Sequence, residues 1–317
     1  MKNELKKLFT SYWNYLAVNA ACELKLFDKI SEGKTSIEKL CIENKWDNQT
    51  LTTLILELKK QGFLKCSDEI ELSEKGLLLT SNHPETLLHS CMHWADEHLT
   101  VWQNISYTIK TGDSVFEKIY EKPFFDYLNS NPQKLDSYHK AMFEYARDDY
   151  KNISSLIDFS KHEIVIDIGG GYGALINELK KQNEQLRCIL FDLPEVIKNV
   201  SGNNIEKIPG SFFEKIPIQA DALILSRVVH DWNNEKAKLI LKNCYQALNK
   251  NGVLYLIEIL LDKVEQDVNL LSLNMKAVCN SYERMYSEYL ILLENEGFKV
   301  MKTEQLNELQ FVITACK

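Results

Sequence analysis

An acid and four glycines are packed into DIGGGYGA, Asp167 to Ala174, directly after the apolar stretch EIVIDI. Gly169, Gly170, Gly171 and Gly173 let a backbone turn tightly against a ligand where a side chain would intrude. Such a loop fits both dinucleotide binders of the G-x-G-x-x-A type and binders of S-adenosylmethionine, with a plain strand-to-helix turn as the ordinary alternative. Two features favour S-adenosylmethionine over NAD. Asp167 lies two residues before the first glycine, where a compact cationic cofactor can use it directly or through water. The glycines also fill one short loop, with no pyrophosphate to cradle. Asp192 ends the next apolar stretch, RCILFDL, and a carboxylate there accepts both ribose hydroxyl protons of either cofactor. Its ordinary alternative is the N-cap of a helix opening at Pro194, and the two roles are compatible.

His230 lies just past the stretch ADALILS (220–226), within SRVVHDWNNEKAKLIL. Of the seven histidines it is the one so placed beside the expected cofactor loop. An imidazole there suits general-base chemistry, although a lone histidine is more often structural. Glu258 ends GVLYLIEI (252–259), an unusual place for a carboxylate unless it faces a site; the plain alternative is a buried ion pair. Gly169, Asp192, Ser211, His230 and Glu258 follow five successive stretches of this kind. Their convergence on one edge outweighs any of them singly. His89, His93 and His98 lack matching Cys or Asp spacing and HEXXH is absent, so no metal is expected.

The elements that must position these residues alternate. Strands are expected at 163–168, 187–193, 205–210, 220–226 and 252–259, with the best intervening helix at 234–248. A helix at 283–296 and strands at 299–306 and 310–316 close the chain. That order specifies an α/β fold with a doubly wound, mostly parallel sheet, whose ligands sit beyond the carboxyl ends of the strands at the switch point. Residues 81–160 are helical and rich in rings: Trp94, Trp102, Tyr107, Phe116, Tyr120, Phe124, Phe125, Tyr127, Tyr138, Phe143 and Tyr145. Roughly three in four of these rings are expected in the core, the rest lining an aromatic-friendly pocket. Residues 1–80 read as three helices and a hairpin, the winged-helix order. A stripe of Leu16, Ala20, Leu24 and Phe27 is followed by helices over IEKLCIEN and after Asn48, then by two small strands in FLKCSDEIELSEKG. That segment holds 12 Lys, no Arg and 12 acids, a net charge of zero. A DNA reader needs a basic face with Arg, so the module reads as a dimerisation element.

The chain has 317 residues, 45% hydrophobic and 26% charged, with 37 Lys+Arg against 45 Asp+Glu and a net charge of −8. This is a globular composition, long enough for two domains and too acidic for nucleic acid to be an expected partner. Eight scattered cysteines with no CxxC pair read as small core residues in a reducing compartment. The first residues lack the apolar core of a signal peptide, and GVLYLIEILL is too short to span a bilayer. A cytoplasmic protein with no membrane partner is expected.

Taken together, these residues resemble the S-adenosylmethionine-dependent O-methyltransferases of the plant caffeate/flavonoid type and their bacterial relatives acting on polyketides, phenazines and carotenoids. The matching stretches are MFEYAR, VIDIGGGYGA, FDLPEVI, GSFF, LILSRVVHDWNNEKAKLILKNCYQAL, LNMKAV and ERMYSEYLILLENEGF, spread over nearly the whole chain. The resemblance implies a Rossmann-like class I methyltransferase domain with an N-terminal winged-helix dimerisation domain. The division falls at 1–95 and 96–317, the latter made of a helical substrate-pocket segment (96–160) and the methyltransferase core (161–317). It implies S-adenosylmethionine as cofactor, His230 as general base, and Glu258 and Glu283 as the carboxylates that bracket and orient it. It also implies cofactor contacts from Gly169, Gly170, Gly171, Asp192, Ser211, Phe212, Ser226 and Arg227, and substrate contacts from Met142, Met275 and Asn280. Plant members carry an acid at the place of Ser211, where it contacts adenosine; serine is similar to many bacterial members.

The activity so implied is methyl transfer to a phenolic or enolic hydroxyl of a small aromatic or polyketide-like secondary metabolite, in a homodimer. A phenol has a pKa of about 10 by analogy with Tyr, and a histidine neutral at pH 7 is a suitable base. Three rivals stand beside it. An NAD-linked oxidoreductase rests on the glycine loop and Asp192 alone. A winged-helix regulator is opposed by the balanced charge of residues 1–80. A protein of the same fold that hydroxylates or cyclises is disfavoured by an intact His230.

Overall fold

The computed structural model describes residues 1–33, 35–66, 69–202 and 205–317, and the chain divides into two compact units, Met1–Leu99 and Thr100–Lys317. Among the described residues no helix is long and apolar enough to cross a membrane.

The first unit is mostly helical, and the two strands expected after its helices are present only as one bridge among the described residues. Helices Ile37–Asn44 and Asn48–Lys60 are capped by Ser36 and Asp47, whose side chains accept from the Lys39 and Thr50 amides at 3.2 and 2.8 Å. Leu64 and Leu72 then form an antiparallel bridge; the Ser67-Asp68 turn of the expected hairpin lies outside the described residues. The expected stripe over residues 16–27 is out of phase. Lys25 takes a left-handed φ of 53° and splits the segment into helices Tyr12–Glu23 and Leu26–Ser31. The buried side chains are Val18, Ala21 and Cys22, then Leu26, Phe27 and Ile30, while Leu24 is exposed. His93, Trp94 and His98 pack ring against ring, with His93 and His98 centroids 4.3 Å apart. Burial pulls the His98 pKa down to about 3, so this histidine is a neutral packing group.

The second unit is built on seven strands, β1 (Ile164–Ile168), β2 (Arg187–Asp192), β3 (Glu206–Pro209), β4 (Ala220–Ser226), β5 (Leu248–Ile259), β6 (Lys299–Gln305) and β7 (Gln310–Cys316). They lie in the order β3-β2-β1-β4-β5-β7-β6, parallel except for β7, which is antiparallel to β5 and β6. The apolar stretches read as strands because both faces are covered. On one face the helix Asn234–Ala247 presents Ala237, Ile240, Leu241, Cys244 and Ala247, an unbroken helical stripe, joined by Tyr289, Leu292 and Leu293 of the helix Tyr286–Asn295. On the other, Leu175, Ile176 and Leu179 of Ala174–Gln182 pack with Ile153, Ile157 and Phe159.

Register decides what emerges where. Ile168 pairs with Phe191 of β2 and Leu225 of β4, so Gly169, Asp192 and Ser226 leave the sheet at one level. Ser226 in turn pairs with Ile257, placing Arg227 level with Glu258. The strand order reverses between β1 and β4, and ligands of open α/β sheets bind at such a switch point. Helices Val115–Tyr120, Phe124–Asn129 and Pro132–Ala146 pack with Ala277 and Val278 of Asn269–Cys279. Of the eleven rings expected mostly in the core, only Phe116 and Phe124 are buried; Tyr145 is exposed and the others are half-buried. The closing helix starts at Tyr286, three residues later than its sequence suggests, which leaves Glu283 on the preceding loop.

Candidate active site

The glycine loop follows from the register. Gly169 and Gly171 take φ values of 69° and 57°, where L side chains are strained. A Cβ on Gly170 would lie 2.4 Å from Asp167 Oδ2 and 2.5 Å from Leu190 Cδ1. The Gly171 amide donates to Asp192 Oδ2 at 2.8 Å, and the Leu193 amide to Asp192 Oδ1 at 2.7 Å. Asp192 therefore locks the loop to the end of β2, and it does not cap the helix Pro194–Ile197, whose cap is Leu193. Phe212 packs on Gly169, its Cε1 3.2 Å from where a Cβ would be, and Ser211 accepts from the Phe213 amide at 3.2 Å. Behind the loop Asp167 is buried with Oδ2 unpartnered. Burial, reinforced by the charge of Asp192, raises its pKa to about 7, and burial raises Asp192 to about 6. Two ionisable acids in one dry crevice favour a cation there and oppose an anion.

After β4 the chain turns at Arg227, with φ of 55° and its amide bonded to the Ile257 carbonyl at 2.9 Å. The Arg227 guanidinium reaches Asp149 at 3.4 Å and the sulfur of Met142 at 3.6 Å, while the Ser226 hydroxyl shares a 2.8 Å bond with Tyr150. The 3-10 turn Val229–Asp231 then presents His230. Glu258 Oε1 accepts from the Val228 and Val229 amides at 3.2 and 2.8 Å, so this buried acid holds the turn. His230 Nδ1 lies 2.8 Å from Glu283 Oε1 and 3.8 Å from Glu258 Oε2. Nε2 points to the other side, 3.6 Å from Asp231 Oδ1. Both glutamates are 0% exposed, and each keeps one oxygen without a partner. Burial pulls the His230 pKa down, but Glu283, Asp231 and Glu258 together outweigh it and raise it to about 10. These acids favour the charged ring, so the form able to accept a proton gains population as pH rises.

Aromatic rings gather on the turn that follows His230. Trp232 lies 5.1 Å from Phe125 at an interplanar angle of 31° and meets Phe213 edge-on at 4.7 Å. Burial, with Asp231 and Cys279 nearby, raises the Tyr138 pKa well above 10. His139, from the same helix, stacks on Tyr172 and lies 3.2 Å from a Cβ position on Gly171. Met142 is half-buried against Arg227, and Met275 is buried. Asn280 is the left-handed cap of Asn269–Cys279 and accepts from Lys276 at 2.8 Å; its neighbour Cys279 is the one facing Asp231. Sequence reasoning missed Asp231, Tyr138, His139 and Arg284. For Asp231 the signal was its place beside His230. Arg284 had none, because an arginine in the first turn of an expected helix ordinarily reads as surface.

A reversed-order sheet with one antiparallel strand, a glycine loop backed by acids and a carboxylate-held histidine define a Rossmann-like class I methyltransferase. Residues 102–299 match the family described as O-methyltransferase domain. Phenazine O-methyltransferase PhzM of Lysobacter antibioticus is 26% identical over 306 residues, 93% of this chain and 90% of that protein. The crystal structure of LaPhzM superposes with a TM-score of 0.93 at 25% identity, covering 99% of this chain and 98% of that one. Human N-acetylserotonin methyltransferase, solved in complex with SAM, shares the fold with a TM-score of 0.90 at 23% identity, covering 100% and 97%. The chain belongs to the O-methyltransferase family and is an S-adenosylmethionine-dependent transferase.

Proposed function

We propose that His230 removes a proton from a phenolic or enolic hydroxyl of a small aromatic or polyketide-like metabolite as that oxygen is methylated. The observation that carries this reading is the imidazole held at Nδ1 by Glu283 at 2.8 Å, which leaves Nε2, 3.6 Å from Asp231 Oδ1, as the nitrogen not engaged by Glu283. S-adenosylmethionine, when bound, supplies a methyl group already activated on a sulfonium. The residues of this chain fit that cofactor. Gly169, Gly170 and Gly171 allow close backbone approach, Asp192 is fixed where ribose hydroxyls can donate to it, and the unpartnered oxygen of Asp167 suits a cationic group. Phe212, Ser211, Ser226 and Arg227 complete the cofactor side, and Met142 the acceptor side. The pyrophosphate of NAD would have to lie beside two acids, which disfavours the oxidoreductase reading.

What this chain does to the acceptor is local. Glu283 accepts from Nδ1–H, fixing the tautomer in which Nε2 is the proton acceptor and stabilising the imidazolium formed. Glu258 ties the supporting turn to β5. General-base help of this kind is worth about 10²–10⁴-fold, and alignment of the acceptor adds to it. A phenazine enzyme among the relatives supports a flat aromatic acceptor.

We assign residues 1–95 to dimerisation and 96–317 to catalysis. Leu8, Phe9 and Trp13 are 64%, 67% and 60% exposed, and such apolar side chains along the first helices support a homodimer. A zero net charge over residues 1–80 supports a module that does not bind nucleic acid, and eight scattered cysteines with no CxxC pair support a cytoplasmic setting. Calorimetry tests the cofactor assignment: S-adenosylhomocysteine is expected to bind and NAD is not, and the reverse pattern overturns it. Asp192→Ala should weaken cofactor binding by about 1.5–3 kcal/mol, the scale of a charge-assisted hydrogen bond.

A further inference from the structure

Arg284 is the largest fully buried side chain, with 0% exposure. Its Nη1 donates to the Val229 carbonyl at 3.0 Å, and its Nη2 to the Trp232 carbonyl at 2.6 Å. Nε and Nη2 also reach Asn234 Oδ1, at 3.1 and 3.0 Å. The two carbonyls flank His230 and Asp231, so one planar fork spans the turn that carries the base. Glu258 holds the amides of the same turn, and Glu283, the residue joined to Arg284, holds the imidazole itself.

A buried cation whose hydrogen bonds go to carbonyls and an amide is costly unless nearby negative charge offsets it. The Tyr289 ring lies 5.8 Å from the guanidinium carbon, and its hydroxyl is raised in pKa by burial and by Glu258 and Glu283. The same buried tyrosine thus neighbours Arg284 and feels the two acids that serve His230. A lysine would supply the charge but not the planar fork needed to hold two carbonyls at once.

We propose that Arg284 is a positioning residue for catalysis, holding the Val229–Trp232 turn so that His230 and Asp231 meet the acceptor in one fixed geometry. The proposal rests on His230 being the base, and its test separates the two. Arg284→Lys should fold and bind S-adenosylhomocysteine within about threefold of wild type, yet lose about 10- to 100-fold in kcat, the scale of a misplaced catalytic group, with little change in acceptor KM. Arg284→Ala should lose as much or more, and added guanidinium should restore part of its kcat. Guanidinium should not restore His230→Ala. Asn234→Ala, at an exposed position, removes one anchor of the fork and should lower kcat about 3- to 10-fold with cofactor affinity unchanged, which keeps the test alive if Arg284→Ala does not fold. Wild-type kcat in Arg284→Lys and Asn234→Ala overturns the proposal. So does a loss confined to KM or cofactor affinity, or an Arg284→Ala protein that is folded, slow and indifferent to guanidinium. Near-normal turnover in His230→Ala instead removes the base assignment, and the proposal with it.

Discussion

Glu283, Asp231 and Glu258 place carboxylate oxygens 2.8, 3.6 and 3.8 Å from the nitrogens of one imidazole. Because these acids raise the His230 pKa, to about 10, the base form of the ring grows as pH rises. For an acceptor that binds as the neutral phenol, kcat/KM should therefore climb about tenfold per pH unit through neutrality and flatten only toward pH 10. An acceptor acidic enough to enter as its own anion should remove that slope, so the profile reports the acceptor as well as the enzyme. Glu283→Gln takes away the nearest charge and should shift the rising limb to lower pH while slowing turnover. Glu258→Gln should slow it less than His230→Ala, and combined variants should be far from additive, as for residues that work as a unit. His230 and Glu258 could be singled out in the sequence because one follows an apolar strand and the other is the acid near the end of one. Asp231 and Arg284 were not, since nothing in a linear pattern tells a charge on a buried turn from one in solvent.

The glycine loop has least room at Gly170. A methyl group there would lie 2.4 Å from the Asp167 carboxylate and 2.5 Å from Leu190, both buried. Gly170→Ala should destabilise the protein by about 1–3 kcal/mol in thermal or urea unfolding, the usual cost of overpacking. It should also weaken S-adenosylhomocysteine binding by about tenfold or more, a change of about 1.4 kcal/mol. An alanine variant with unchanged affinity and stability would show that the loop is not held as described. The strands were read well from sequence because a parallel sheet covered on both faces leaves long apolar stretches. Helix boundaries were read less well. The first stripe failed at Lys25, whose left-handed turn no helical pattern announces, and Glu283-Arg284 resembled a helix start although they lie on the loop before Tyr286. The rings of residues 81–160 looked like core material, yet most of them keep one side partly exposed.

Over the whole molecule, the acids of the crevice link cofactor binding to pH. The Asp167 pKa lies near 7 in the folded chain, against 3.8 for an ordinary aspartate. The folded state then holds the proton more tightly than the unfolded one, so its contribution to stability is full at low pH and is lost as pH rises toward 7. A cationic cofactor paired with the ionised acids should recover that loss. The rise in Tm on adding S-adenosylmethionine should accordingly be larger at pH 8 than at pH 5, and an equal shift at both would contradict the pairing. Light scattering should report a dimer at micromolar concentration, and a monomer would count against the exposed helices as the interface. The central claim, methyl transfer with His230 as the base, is tested most directly by following labelled methyl groups from S-adenosylmethionine onto phenolic acceptors, with wild type and His230→Ala side by side. The expected result is label on a hydroxyl oxygen by the wild type and a loss of about 10²–10⁴-fold in turnover for the variant, with cofactor affinity nearly unchanged. A variant that transfers methyl at close to the wild-type rate would contradict it.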